Sequence, residues 1–476
     1  MLRRRDDFAK RYQALMDDLR GEILSGHIKP NEYILPENTL SQQYNLSRVS
    51  VRKVLAELVD EGLIEKITGK GNRVTVPEGG LPVREKIKLA WFSTSYELDI
   101  VRKVIERYKA SQPYAEVELM IIPESSYMEN IVQYMENGDG PDLFMVSDSQ
   151  FRQMIDMNKT DLILPYVSDR MNPDTDSYPK VFELFEHAGQ QMVTPFLFSP
   201  VVICYNEGLL EQAGIQEQVA ISDWDALLDM AKRCTMDMDG DDHIDHFGFC
   251  FSSSPHRWPV FMLQNEGVLI DDNQQCTINN KNTIDALQFC LNLMYKEQVA
   301  PIYSHGSEFM AESLFMKERV AMILSTYYFM NEFRGSSLRW NVCSVPKQKT
   351  EGTLLLGGGL GINKKSQKSK LTKSLVDYMV SDEAQSLIKQ LGCTIPALKR
   401  VAEDDSLLNP AIHPENYNVF KDIMPYARTL LELNMTNSEF TLMRDEMQLM
   451  WMNIERPHEV CERIERIINE RRSLAE

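Results

Sequence analysis

The chain has 476 residues, 43% hydrophobic and 25% charged, which allows two to four domains with full cores and excludes a disordered or membrane-embedded chain. Its net charge of −19 divides unevenly: residues 1–77 hold 13 Lys+Arg against 11 Asp+Glu, a balance of +2, and the rest holds 38 against 59, or −21. A near-neutral head on an acidic body leaves the head alone able to approach a polyanion, since the body is repelled by phosphates, and at only +2 such a head would need dimerisation to bind one.

Met1-Leu2-Arg3-Arg4-Arg5-Asp6-Asp7 has the basic start of a signal peptide, but acidic and polar residues follow where an apolar stretch would stand. No later run approaches the roughly eighteen apolar residues of a membrane span. No export is expected, and the location expected is cytoplasmic.

From Phe8 to Leu24, apolar residues at helical spacing (Tyr12, Leu15, Met16, Leu19, Ile23) predict a first helix, closed by Gly26. Leu35-Pro36 leads into a short second helix around 39–44, and Asn45, which tolerates the left-handed conformation, makes the turn. Ser47 is the natural N-cap of a third helix whose inward positions are Val51, Val54, Leu55, Leu58 and Val59, with Gly62 at its end. That stripe leaves Arg48, Val49, Ser50, Arg52 and Lys53 facing outward at the helix N-terminus. Two short strands, 63–67 and 72–76, then flank Thr68-Gly69-Lys70-Gly71 as a β-hairpin.

Several motifs gather here: Gly26-His27-Ile28-Lys29-Pro30, Leu35-Pro36-Glu37-Asn38, Leu46-Ser47-Arg48-Val49-Ser50-Val51-Arg52, Glu61-Gly62-Leu63-Ile64 and Gly69-Lys70-Gly71. Together they resemble the winged helix-turn-helix of the GntR family over nearly all of residues 1–77. The resemblance implies that Arg48 and Arg52 contact DNA in the major groove and that Gly69 of the wing approaches the minor groove. Ser47, Val49, Ser50, Thr68 and Lys70 complete the candidate DNA-binding set. Where the family writes Leu-Pro-Ser-Glu-Arg, Leu35-Pro36-Glu37-Asn38 lacks the serine that caps the second helix and replaces an arginine that often touches DNA.

A linker at 78–84, rich in Gly and Pro, is short and bent. Beyond it, strands at 87–92, 117–122 and 141–146 alternate with helices at 100–108 and 126–135. This βαβ order implies parallel sheets covered by helices, with ligand sites at the strand C-termini. The eight cysteines (204, 234, 250, 276, 290, 343, 393, 461) form no CxxC pair and read as reduced, mostly buried thiols.

Gly140-Pro141-Asp142-Leu143-Phe144, Val202-Ile203-Cys204-Tyr205-Asn206, Trp224-Asp225-Ala226-Leu227, Val320-Ala321-Met322, Gly357-Gly358-Gly359-Leu360-Gly361-Ile362 and Ser381-Asp382-Glu383-Ala384-Gln385 follow in order. Their order resembles the family 1 extracellular solute-binding proteins, the oligosaccharide-binding class, over residues 85–476. The fold class expected is therefore α/β, an N-terminal winged helix-turn-helix plus a two-lobed periplasmic-binding-protein-like (type II) domain. The resemblance implies crossings between lobes near 196–199, 357–360 and 398–404, a first lobe of about 85–197 and 360–400, and a second of about 198–359 and 401–476.

A sugar site needs a flat apolar face for the ring and fixed polar groups for its hydroxyls, since a buried polar group left unpaired costs about 1–3 kcal/mol. Candidates past strand ends are Ser93, Ser95, Tyr96 and Asp148 in the first lobe and Trp258 and Tyr328 in the second, with Gly357 and Gly358 letting the backbone approach. Asp148 and Tyr328 match family positions that touch sugar. A separate loop places Asp237, Asp239, Asp241 and Asp245 at the spacing of a calcium loop, but position 6 is Asp242 rather than glycine and position 12 carries no acid. A solvated acidic turn is the preferred reading, and no metal is assigned.

Catalysis finds no foothold: GxSxG, HExxH and GxxxxGK[ST] are absent, and no cofactor is implied. The sequence reads as a regulator that binds double-stranded operator DNA as a homodimer and senses a carbohydrate, with no membrane partner. Two alternatives stand beside it: a winged helix fused to a pyridoxal-phosphate aminotransferase-like domain, for which no cofactor-lysine motif is seen, and a solute-binding module without a regulatory role.

Overall fold

Apolar periodicity becomes three helices and a hairpin at the N-terminal end of the computed structural model, which describes residues 2–24, 28–75, 85–112, 115–216, 219–302 and 310–475. The helices are α1 (Leu2–Leu24), α2 (Glu37–Gln43) and α3 (Arg48–Asp60). Leu15, Met16, Leu19 and Ile23 of α1 meet Leu40 of α2 and Val51, Val54, Leu55 and Leu58 of α3 in a core of their own. Asn45 adopts φ +50° at the turn, and Gly62 ends α3 at φ +72°. Val59, expected inside, is 37% exposed, one step past the stripe. Strands β1 (Ile64–Ile67) and β2 (Gly71–Val74) pair antiparallel, with Ile64 opposite Val74. Gly26, the residue closing the second wing strand at 76 and the linker at 78–84 lie outside the described residues.

The body opens with β3 (Glu85–Phe92), α4 (Leu98–Ser111), β4 (Ala115–Ile122), α5 (Tyr127–Asn137), β5 (Leu143–Ser147) and α6 (Asp148–Asp156). Strands β6 (Thr194–Asn206), β7 (Phe247–Cys250), β8 (Val320–Thr326) and β9 (Thr353–Asn363) complete one path through the sheet, in the order β7-β8-β6-β9-β5-β3-β4. β3 runs parallel to β4 and β5, and β7 parallel to β8, as βαβ crossovers require. The long strands β6 and β9, buried at every position, join the two halves antiparallel to one another. The result is a two-lobed α/β body with a cleft between the strand ends.

The glycine run of β9 serves packing. A Cβ at Gly359 would lie 2.5 Å from Val193, and one at Gly361 2.6 Å from the Phe144 ring. The absent side chains let neighbouring bulky groups lie directly on the strand.

Residues 196–199 and 357–360 fall within β6 and β9. The third expected crossing is different: Lys399–Ala402 is a turn of helix. The buried ammonium of Lys389 explains it, donating to the carbonyls of Val401 (3.2 Å), Ala402 (2.7 Å) and Asp404 (2.9 Å) and so satisfying the end of that turn.

Candidate functional site

On the first lobe the cleft is built from two turns. After β3, Trp91 Nε1 donates to Ser95 Oγ at 2.8 Å, and Ser95 Oγ donates to Glu97 Oε2 at 2.8 Å. Glu97 also accepts from Thr394 Oγ1 at 2.5 Å, and burial raises its pKa. After β5, Ser147 caps α6: its Oγ accepts from Gln150 N at 3.2 Å, while Gln150 Oε1 accepts from Ser147 N at 2.9 Å. This capping box fixes Asp148 as the first residue of the helix, with Oδ1 accepting from Gly357 N at 3.2 Å. Asp148 Oδ2 makes no hydrogen bond among the described residues. Burial raises the Asp148 pKa to about 6, against the pull of the Gly357 N–H and of Arg152.

The second lobe answers with Tyr328, set just past β8, and with a polar segment following β7. Ser199 Oγ accepts from Tyr327 N at 2.9 Å and fixes the turn that turns Tyr328 toward the cleft, while Phe329 meets the Tyr96 ring edge-on at 5.6 Å. Arg257 donates to Glu312 Oε1 at 3.4 Å and to His256 O at 3.1 Å. Burial, then the neighbouring Arg257, lower the His256 pKa to about 3, so the ring is neutral at pH 7.

The cleft has a volume of about 290 Å³, at the small end of ligand pockets, which run from about 300 to 1,000 Å³. Of the sequence candidates, Ser95, Tyr96, Asp148, Tyr328, Gly357 and Gly358 line it. Ser93 and Trp258 do not. Ser93 is exposed, with its N–H spent on Ile122 O at 2.9 Å. Trp258 is 2% exposed, its ring 6.1 Å from that of Trp451, because the helix Pro259–Gln264 starts at once and carries the indole into the second-lobe core.

Sequence reasoning missed Glu124, Ser254, His256, Arg257 and Glu312, all on the lining. The run Ser252-Ser253-Ser254-Pro255-His256-Arg257, polar and directly after a buried strand, was the available signal; Glu312 lies inside a helix and offered none. Among the described residues, four buried atoms of the lining make no hydrogen bond to protein: Asp148 Oδ2, Arg257 Nε, Glu312 Oε2 and Tyr328 Oη. Such groups are costly unless a ligand satisfies them.

In the head, Ser47 Oγ accepts from Ser50 N at 3.1 Å and caps α3. Arg48, Val49, Arg52 and Lys53 stand outward, as do Thr68, Gly69 and Lys70 at the wing tip. Ser50 is a correction: it is 8% exposed, sharing the face of Val54 and Leu58 one and two turns on, with its hydroxyl against Ser47 Oγ at 2.8 Å. Arg52 pairs with Glu37 at 2.8 Å. The loss of the serine cap shows at α2, where Pro36 is the N-cap and no side chain caps the helix.

In the acidic loop, oxygens of Asp237, Asp239 and Asp245 lie within 4.8 Å of one another, and Asp241 is not among them. Backbone N–H groups occupy these carboxylates: Gly240 and Asp242 donate to Asp237 at 2.7 and 3.0 Å, and Met238 to Asp245 at 2.8 Å. All eight cysteines are free and buried. Among the described residues no helix is long and apolar enough to cross a membrane.

Residues 94–386 match the family of bacterial extracellular solute-binding proteins, and residues 11–74 match the bacterial regulatory proteins of the gntR family. Over 253 residues the chain is 21% identical to an arabinooligosaccharide-binding protein of Halalkalibacterium halodurans, covering 51% of this chain and 54% of that protein. Over 68 residues it is 40% identical to the arabinose metabolism transcriptional repressor of Geobacillus stearothermophilus, covering 14% and 19%. The chain thus spans about half the length of the first relative and a fifth of the second. The structure of the ABC substrate-binding protein Lmo0181 of Listeria monocytogenes in complex with cycloalternan superposes with a TM-score of 0.68 at 20% identity, over 82% of this chain and 99% of that one, a likeness of fold. Neither matched family is one of enzymes, which disposes of the aminotransferase-like alternative. The chain belongs to the bacterial extracellular solute-binding protein family and carries, ahead of that domain, the DNA-binding head of the gntR regulators.

Proposed function

We propose that this chain is a ligand-responsive transcriptional regulator: the head (1–77) binds operator DNA, and the body (85–476), reached through the linker 78–84, senses a carbohydrate. The observation that carries the reading is the joining, in one polypeptide, of an outward Arg48–Arg52 helix face to a cleft where Asp148, Glu312, Arg257 and Tyr328 hold buried polar atoms open. Two relatives support the ligand class, one being an arabinooligosaccharide-binding protein and the other a complex with cycloalternan. A gntR-type head resembling that of an arabinose metabolism repressor supports DNA as the partner.

The mechanism is linkage. A sugar satisfies groups of both lobes at once and so favours the closed arrangement. In a cytoplasmic homodimer, closure alters the separation of the two recognition helices relative to half-sites one DNA turn apart. The shift in DNA affinity equals the ligand's differential binding, a coupling of about 1–3 kcal/mol. The test is a gel shift of the full chain on its own upstream DNA with and without a panel of mono- and oligosaccharides. A sugar that moves operator affinity supports the proposal. Sugar binding that leaves operator affinity unchanged reduces the body to a solute-binding module without regulation.

A further inference from the structure

We propose that the cleft accepts uncharged, hydroxyl-donating sugars and rejects sugar phosphates and sugar acids. This deepens the carbohydrate reading above and rests on it.

Among its described residues the lining carries four carboxyl groups, Glu97, Glu124, Asp148 and Glu312, of which burial raises the pKa of Glu97, Asp148 and Glu312, and one cation, Arg257. Arg257 is already engaged, with Glu312 Oε1 at 3.4 Å and His256 O at 3.1 Å. Arg152, whose charge acts on Asp148 and His256, is off the lining, with its Nη2 donating to Met435 O at 3.3 Å, its guanidinium 4.6 Å over the Phe440 ring and its Nη1 buried without a hydrogen bond among the described residues. His256 is held neutral and adds no charge.

Donors and acceptors point the same way. Asp148 Oδ2 on the first lobe and Glu312 Oε2 on the second are both buried, and neither accepts a hydrogen bond from the described residues. A sugar hydroxyl donates to either one. A phosphate dianion or a uronate carboxylate has no hydrogen to give and sets like charge against like in a site shielded from water, where such a juxtaposition is most costly. On the lining, among the described residues, Arg257 Nε is the one open cationic donor against these two acceptors, too few to clamp an anion. The signal is therefore the free sugar and not its phosphate ester or its oxidised acid.

The test is calorimetric titration of the full chain at pH 7 with matched sets: glucose, galactose, mannose, arabinose, maltose and arabinobiose, each beside its phosphate ester and its uronic or aldonic acid. In whichever set a neutral sugar binds, the charged partners bind at least about 100-fold more weakly, the scale of a buried like-charge contact. Glu312→Gln narrows that ratio at least tenfold. Should Glu312→Gln fold poorly, Glu124→Gln, at the exposed mouth, narrows it in the same direction by a smaller factor. A phosphate or acid binding as tightly as its neutral parent overturns this proposal and leaves the carbohydrate reading standing. Failure of every set to bind takes down both.

Discussion

Arg334, after β8 in the second lobe, grips Asp99 at the start of α4 in the first, its Nη1 and Nη2 each 3.1 Å from a carboxylate oxygen. The same guanidinium donates to Leu391 O of the first lobe at 2.9 Å and to Asn331 O of its own at 2.9 Å. Beside it Asn331 Nδ2 reaches Thr394 Oγ1 at 2.6 Å, so the lobes are tied by a buried contact and a partly exposed ion pair. If ligand holds the lobes together, this latch shares the work. Arg334→Ala is expected to weaken carbohydrate affinity about fivefold, since a partly exposed pair contributes up to about 1 kcal/mol. Calorimetry reads the change, and unaltered affinity would show the latch to be incidental to closure.

Asp148 sets a trade between stability and binding. Its pKa stands at about 6 in the fold against 3.8 ordinarily. The folded chain therefore holds a proton between those values that the unfolded chain has released, and this group's contribution is full below pH 3.8 and lost as pH rises through 6. Above pH 6 the ionised form costs folding about 3 kcal/mol. Asp148→Asn is expected to raise the unligated unfolding midpoint at pH 7.5, to leave it little changed at pH 4, and to weaken sugar binding. A lower midpoint at pH 7.5 would refute the assignment.

The head was legible in the sequence because its packing is local. One helical stripe, Val51-Val54-Leu55-Leu58, and one cap, Ser47, determine which face of α3 turns outward. Ser50 misled because small polar residues at a helix start read as exposed, whereas here the hydroxyl is folded back on the cap. In the body, Asp148 and Tyr328 were visible from strand ends and family position. Glu312 and Arg257 were not: they meet across 55 residues of chain, and only the tertiary fold brings them to one wall. Trp258 marks the limit of residue type as evidence, since an indole suits a sugar face and a core equally, and its surroundings decide.

Gly248 in β7 tests how closely the second lobe is packed. A Cβ there would lie 1.8 Å from the backbone oxygen of Ala231 in the covering helix Trp224–Cys234, which cannot yield by a rotamer change. Gly248→Ala is expected to cost about 1–3 kcal/mol or more in denaturant unfolding. At Gly358 the clash is with Met145 Cε, at 2.2 Å, the end of a flexible side chain that can swing aside. Gly358→Ala is therefore expected to be milder in stability but to weaken ligand binding, because Met145 lines the cleft. Equal losses in stability would mean that β9 is as rigid as β7.

The division of labour between head and body predicts a double dissociation. Arg52 lies on α3 with its side chain 62% exposed and, among the described residues, paired to Glu37, so under the proposed function Arg52→Ala removes a groove contact without opening a core. Operator affinity is expected to fall by about 1–3 kcal/mol, with sugar affinity unchanged. Tyr328→Ala strips an aromatic wall from the cleft and leaves the separate core of the head intact. It is expected to abolish the sugar response while unligated operator binding persists. Because a shared loss through unfolding would mimic coupling, thermal melts of both variants accompany the gel shifts. Folded variants in which either substitution harms both activities equally would mean that head and body do not act as a reader and a sensor joined by linkage.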